Sequence, residues 1–159
     1  MRVSKLFKAI TDHTTFDKIF FRTKAVESGI DFDKLQINPI FDSLHYTCRS
    51  KIKEALFLIC DKKPDGETDN RELALIDSSA AKQNATEPAV THLWLTPFGY
   101  EGVQVRSERA LTVQDVMQGL CDYYQYDAGY DECHCFFEGF HNRKEVDSEQ
   151  LVLVACWGS

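Results

Sequence analysis

Val90-Thr91-His92-Leu93-Trp94-Leu95 alternates apolar and polar residues like a half-buried strand, and Val103-Gln104-Val105-Arg106-Ser107 alternates again after the turn-like Pro97-Phe98-Gly99-Tyr100-Glu101-Gly102. The two runs predict a hairpin. Thr112 stands three residues before Asp115 in a capping-box-like arrangement, and Val113, Val116, Met117, Leu120 and Tyr124 recur at spacings of three and four along one face. A helix over 112–125 would be roughly 21 Å long, enough to cross one face of a small sheet. Gln150-Leu151-Val152-Leu153-Val154-Ala155-Cys156-Trp157 is β-branched and nearly all apolar, which suits a strand buried within the core. Hairpin, crossing helix and return strand in that order predict an α+β fold with a β-grasp, or ubiquitin-like, sheet whose last strand pairs beside its first.

Toward the amino terminus the signals are shorter. Thr14 or Thr15 can cap a helix running through Phe16, Ile19 and Phe20 toward Val26, with Asp17 in its first turn and Gly29 beyond its end. Asn38 followed by Pro39 marks a second, brief helix with Ile40, Phe41 and Leu44 on its apolar face. Ala55-Leu56-Phe57-Leu58-Ile59-Cys60 fits either a buried strand or the last turns of a helix begun near Ser50, which periodicity does not decide, and a helix followed by a strand is the reading taken. Residues 61–71 and 78–89 are polar and turn-rich around the short run Leu73-Ala74-Leu75-Ile76, and are expected to be the most flexible parts of the chain. The division that follows is an N-terminal helical extension over 1–36 and an α+β domain over 37–159, together one compact unit.

Composition bounds the function classes. The chain has 159 residues, 43% hydrophobic, which is enough for one domain with a real core. Its 18 basic and 25 acidic residues leave a net charge of -7, which disfavours a nucleic-acid partner because phosphate binding needs clustered Lys and Arg. Lys5 and Lys8 interrupt what would be the apolar part of a secretory signal, and no apolar run has the length of a membrane span. The expectation is a cytoplasmic protein, with the nucleus as the alternative, and no membrane partner. Leu6, Phe7 and Ile10 are expected to pack on the domain. In that compartment the six cysteines, Cys48, Cys60, Cys121, Cys133, Cys135 and Cys156, read as free thiols, with Cys60 and Cys156 as core residues. The sequon Asn84-Ala85-Thr86 would matter only on export.

The stretch Asn38-Pro39-Ile40-Phe41, then Ala85-Thr86-Glu87-Pro88-Ala89-Val90-Thr91-His92-Leu93-Trp94-Leu95, the strand around Val103 to Val105, Leu111-Thr112-Val113-Gln114-Asp115-Val116, and Phe137-Glu138-Gly139-Phe140 resemble a fungal domain family of unknown function over about residues 37–157. Where that family usually carries a Pro-Trp pair, this chain has Pro97-Phe98. The resemblance implies a β-grasp-like core and a eukaryotic intracellular setting, and brings no catalytic residues with it.

The densest chemical constellation is Cys121, Cys133-His134-Cys135 and His141, among Asp122, Asp127, Asp131 and Glu132. Thiolates and imidazoles are the ligand types of a tetrahedral zinc, and Cys121, Cys133, Cys135 and His141 are its candidate ligands. The usual paired knuckles are absent, so a cysteine-rich loop of thiols packing as small hydrophobes is the favoured alternative. Cys133 or Cys135, activated by His134, His141 or His92, would make a nucleophilic site. His13 and His45 read as surface or capping residues. Phosphate loops, His-Glu-x-x-His, Gly-x-Ser-x-Gly and dinucleotide fingerprints are all missing. Tyr123, Tyr126 and Tyr130 form an acidic tyrosine-rich patch suited to docking a protein partner, while Tyr124 belongs to the helix's core face. Together these features predict an intracellular protein–protein interaction module without catalytic activity or cofactor, using the tyrosine patch and one exposed sheet edge, with self-association left open. The alternative is a small enzyme or ligand-binding protein using the Cys/His cluster near 133–141, with or without zinc.

Overall fold

The computed structural model describes residues 13–26, 30–31, 34–62, 68–96, 102–126, 135–144 and 151–159. In chain order the strands are β1 (Gln36–Ile37), β2 (Leu44–His45), β3 (Leu56–Lys62), β4 (Thr68–Ala74), β5 (Thr86–Glu87), β6 (His92–Thr96), β7 (Val103–Arg106), β8 (Phe136–Lys144) and β9 (Leu151–Gly158). One α-helix, α1 (Val113–Tyr126), lies between β7 and β8. The architecture is therefore α+β, mostly sheet. No described helix is long and apolar enough to cross a membrane.

Local chemistry decides where α1 begins. Thr112 Oγ1 accepts from Asp115 N at 3.2 Å, and Asp115 Oδ2 accepts from Thr112 N at 2.8 Å. These reciprocal bonds satisfy donors that a helix start would leave open. The apolar stripe of α1, Val113, Val116, Met117, Leu120, Cys121 and Tyr124, is buried throughout. It faces a four-stranded sheet of order β7-β6-β9-β8, in which β6 pairs antiparallel with β7 and parallel with β9, and β8 pairs antiparallel with β9. Leu93, Leu95 and Leu153 project from this sheet into the core and are fully buried. Helix and sheet meet closely at Gly119, where an added Cβ would lie 2.5 Å from Val105 Cγ2. Only glycine allows that approach.

A second, three-stranded sheet of order β2-β3-β4 carries the N-terminal half. Its turn into β2 is set by Asn38, whose Oδ1 accepts from Ile40 N at 3.1 Å ahead of Pro39, so the brief helix is a single 3₁₀ stretch, Pro39–Ser43. The helix expected to begin near Ser50 is likewise only a 3₁₀ turn, Ile52–Glu54, and the apolar run after it is strand β3. Much of the polar stretch 61–71 departs from the flexible loop expected of it: Asp61 pairs with Asp69 and Lys62 with Thr68 at the end of the β3–β4 hairpin. Polar residues suit such a strand because β4 is an edge, where charge discourages further pairing.

Segment 78–89 departs further from expectation. Ser78 caps a 3₁₀ turn over Ser79–Lys82, β5 pairs with β1, and Ala85, Thr86 and Ala89 are essentially inaccessible. Asn38 N donates to Ala85 O, Ala85 N to Leu111 O, and Asn84 N to Phe21 O, all within 2.7–2.8 Å. The same bonds explain why the helix expected over Phe16–Val26 is not formed among the described residues. A 3₁₀ turn over Thr14–Phe16 gives way to turns ending at Phe21, whose φ of 51° breaks a helix, and Ala25 bridges Ala89. Phe21 O and Val26 N spend their hydrogen-bonding capacity on Asn84 and Ala89. Backbone groups paired to a distant segment are no longer available to close helical turns.

Candidate functional site

The sheet separates two of the four candidate zinc ligands, Cys121 and His141. Strand alternation puts Leu153, Ala155 and Trp157 on the helix-facing side of β9, so Val154 and Cys156 point the other way, and His141, opposite Val154 on β8, points with them. Cys121 lies on the inner face of α1 and is fully buried. Cys121 and His141 therefore sit on opposite sides of the sheet. Cys135 is half-buried just before β8, and Cys133 lies outside the described residues, as do His134, Asp127, Asp131 and Glu132. Among the described residues no three His, Cys, Asp or Glu side chains gather closely enough to hold a metal ion.

Cys121 instead joins an aromatic and thiol cluster. The Tyr46 hydroxyl donates to Ser50 O at 3.0 Å and lies beside the Cys121 thiol. Burial pushes the Cys121 thiol up to about 11, and neighbouring Asp122 adds to the rise. Burial pushes the Tyr46 and Tyr124 hydroxyls upward as well. Tyr124 packs edge-on against Trp157 with ring centroids 5.0 Å apart. At neutral pH every group in this cluster is protonated, which suits packing rather than thiolate chemistry.

Of the tyrosine patch, Tyr123 is half-buried and sets its ring against Tyr124, centroids 5.4 Å apart. Tyr126 ends α1. Its side chain and all of Tyr130 lie outside the described residues.

His141 does meet a cysteine, but a different one from those the spacing suggested: its Nδ1 lies 3.2 Å from Cys156 Sγ. The apolar run that Cys156 ends predicts a core residue, whereas its side chain is half-buried. The strand's alternation could have removed it from the side of Ala155, but not told which side faces outward. Burial raises the Cys156 thiol, and the carboxylates of Glu138 and Asp42 raise it further. Asp42 reaches this neighbourhood because Gly139, in the irregular register between Phe137 and Phe140, has a φ of 103° and no Cβ; one would lie 2.5 Å from Asp42 Oδ1. Imidazole and neutral thiol thus form a hydrogen-bonded pair beside two acids, with the thiol held away from its reactive form.

The two outer edges of the four-stranded sheet differ. Along β8, Cys48 N donates to Cys135 O and Phe137 N to Tyr46 O, so residues 46–48 cover the start of that edge. Along β7 the described residues provide no pairing strand except β6. Ser107 N donates to Thr91 O at 2.9 Å, which makes 107 and 91 a hydrogen-bonded pair. In the alternating antiparallel pattern, Val105 and Val103 then also bond inward to β6, and the backbone N–H and C=O of Gln104 and Arg106 point to the open side. Between this edge and the α1 residues Asp115, Gln118 and Asp122 lies a groove of about 340 Å³. Gln118 Nε2 donates to Asp122 Oδ1 at 2.6 Å, and Arg109 forks onto Asp115 at 2.9 and 3.1 Å. Burial would push the Asp115 carboxyl up, but bonds from Thr112 and Arg109 outweigh it and hold the group below the usual carboxylate range.

Among the described residues the fold and site define an α+β protein: a mixed sheet covered by one helix, with an open strand edge beside that helix. Residues 44–151 match the Family of unknown function (DUF6699), and the chain belongs to that family. No curated protein and no solved structure matches it.

Proposed function

We propose that this protein is an intracellular interaction module, without catalytic activity, that receives an extended segment of a partner protein as an added strand along β7. The observation that carries this reading is the pair of outward-facing backbone positions, Gln104 and Arg106, opening onto a groove walled by α1. An edge strand with unpaired N–H and C=O groups is a template for strand addition, and a flanking groove supplies side-chain selectivity. Asp122 on the groove wall and the net charge of -7 favour a segment bearing Lys or Arg. A β-grasp-like core is part of the proposal. Its support is the order β7-β6-β9-β8, in which a hairpin precedes the helix and the last strand lies parallel beside the first. The fungal setting and cytoplasmic location follow from the resemblance and the composition.

The Cys/His alternative has one specific observation in its favour, the His141–Cys156 contact. The raised thiol counts against it as a nucleophile.

The test is selection of extended peptides from a displayed random library against the full chain, with amide NMR shifts mapping where they bind. Binders enriched in Lys and Arg that perturb Gln104 and Arg106 are expected. Gln104→Pro, which deletes an outward N–H while leaving the β6 ladder intact, should weaken them about tenfold or more with the circular dichroism spectrum unchanged. Selected peptides that map elsewhere, or that bind Gln104→Pro at full strength, would overturn the proposal.

A further inference from the structure

Residues 46–48 and 135–137 run antiparallel, with Thr47 bridged to Phe136, Cys48 N donating to Cys135 O at 2.8 Å and Phe137 N donating to Tyr46 O at 2.9 Å. That register sets Cys48 directly across from Cys135. Side chains directly opposite in such a ladder leave the same face, and a hydrogen-bonded pair has Cα atoms about 5.5 Å apart. Disulfides span Cα separations of about 4.4–6.8 Å, so the backbone already holds these cysteines at bridging distance. The neighbouring pair shows the shared face: Tyr46 and Phe137 meet edge-on with centroids 6.5 Å apart, while Thr47 and Phe136 are exposed on the opposite side.

Both cysteines are free thiols, Cys48 buried and Cys135 half-buried. Burial pushes the Cys48 thiol up to about 11, and Cys135 contributes to the rise against the opposing effect of Arg49, as expected for two neighbouring sulfurs. We infer that Cys48 and Cys135 are a redox modification site, closing to a reversible cross-strand disulfide with a peroxide as oxidant. Cys135, the more accessible sulfur, gives up its proton and attacks the peroxide; the S–O bond forms, the O–O bond breaks, a sulfenic acid results, and the departing hydroxide takes up the thiol proton and leaves as water. Cys48 then attacks that sulfur. The S–S bond forms, the S–O bond breaks, and the hydroxide leaves as water with the Cys48 proton. Two electrons pass from the thiol pair to the peroxide, and a dithiol reductant reverses the change.

The bond would tie the segment leading out of β2 to the head of β8, and so join the two sheets covalently. It closes a loop reaching from residue 48 to residue 135, a long one, so its effect on the unfolded chain is large. This site lies at the β8 edge, away from the β7 edge proposed for peptide docking, and stands or falls separately.

The experiment treats the reduced full chain with stoichiometric hydrogen peroxide, alkylates remaining thiols, and maps the products by mass spectrometry of a digest made without reductant. The expected result is a monomer containing a Cys48–Cys135 linked peptide pair, reversed by dithiothreitol, with Tm higher by roughly 5–15 °C than in the reduced protein. Cys135→Ser should abolish both the linked pair and the Tm rise; because Cys48 is buried, Cys48→Ala serves as the second control in place of the serine. Oxidation of Cys135 to the sulfinic acid with Cys48 still free, or a bond from either cysteine to another thiol or a second chain, would overturn the inference.

Discussion

The helix-covered sheet and the segment from Ser78 to Thr91 are both interior parts of the molecule, but different forces hold them. In the first, Leu93, Leu95, Leu153, Met117 and Leu120 bury apolar area between elements formed from short-range signals. In the second, small and polar residues occupy the interior: Ala85 and Ala89 are 0% exposed, Thr86 1% and Asn84 7%. What fixes that segment is hydrogen bonding to distant chain. Asn84 Nδ2 donates to Thr23 O at 2.8 Å, Asn38 Nδ2 donates to Asn84 O at 2.9 Å, and the Thr23 hydroxyl donates to the Glu87 carboxylate. Buried polar groups are tolerable only when satisfied in this way. The Asn84 amide is consequently committed to the interior, and the sequon it belongs to is not presented at the surface of the folded chain.

Mutations should separate the two kinds of interior. Leu93→Ala removes a fully buried side chain from the sheet core and should cost about 2–5 kcal/mol in a urea unfolding experiment, the transfer loss being compounded by the cavity left behind. A cost below about 1 kcal/mol would mean that the helix and sheet are not packed as described. Asn84→Ala should cost less, about 1–3 kcal/mol, mainly by leaving Thr23 O without its buried donor. If its effect equalled that of Leu93→Ala, the polar segment would be as central to folding as the core, and the contrast would fail.

The smallest expected effect is at the helix start. Asp115→Ala removes the acceptor for Thr112 N and the partner of Arg109, at a cost of about 1 kcal/mol near neutral pH. Because the folded carboxyl is held below its unfolded value, that stabilisation is present above an unfolded pKa of about 3.9 and lost as pH falls through the folded value. Unfolding of wild type and variant should therefore converge in acid. A difference that persists well below the carboxylate range would assign the effect to packing rather than to charge.

Much of the C-terminal half was legible because its signals act over a turn or a single strand. The capping pair Thr112 and Asp115, the stripe on α1 and the alternation in β6 and β7 each depend on residues within a few positions of one another. The open β7 edge was not legible beyond the existence of the hairpin. Which backbone groups face outward needed the Ser107–Thr91 bond and the place of β7 at the end of the sheet. The Cys/His constellation was legible in composition, but the placing of its described members was not: strand alternation turned His141 toward Cys156 and away from Cys121.

By itself the sequence determined that this chain makes a hairpin, a capped amphipathic helix and an apolar return strand, because those choices are settled by neighbours along the backbone and by the period of apolar residues. Tertiary structure alone decided that a polar stretch near Asn84 lies inside, that Phe21 and Val26 bond to it rather than close a helix, and that Cys48 stands opposite Cys135. The physical reason is the same in each case. A buried backbone group or thiol is defined by the partner that meets it, and these partners come from parts of the chain too distant for any local pattern to reveal.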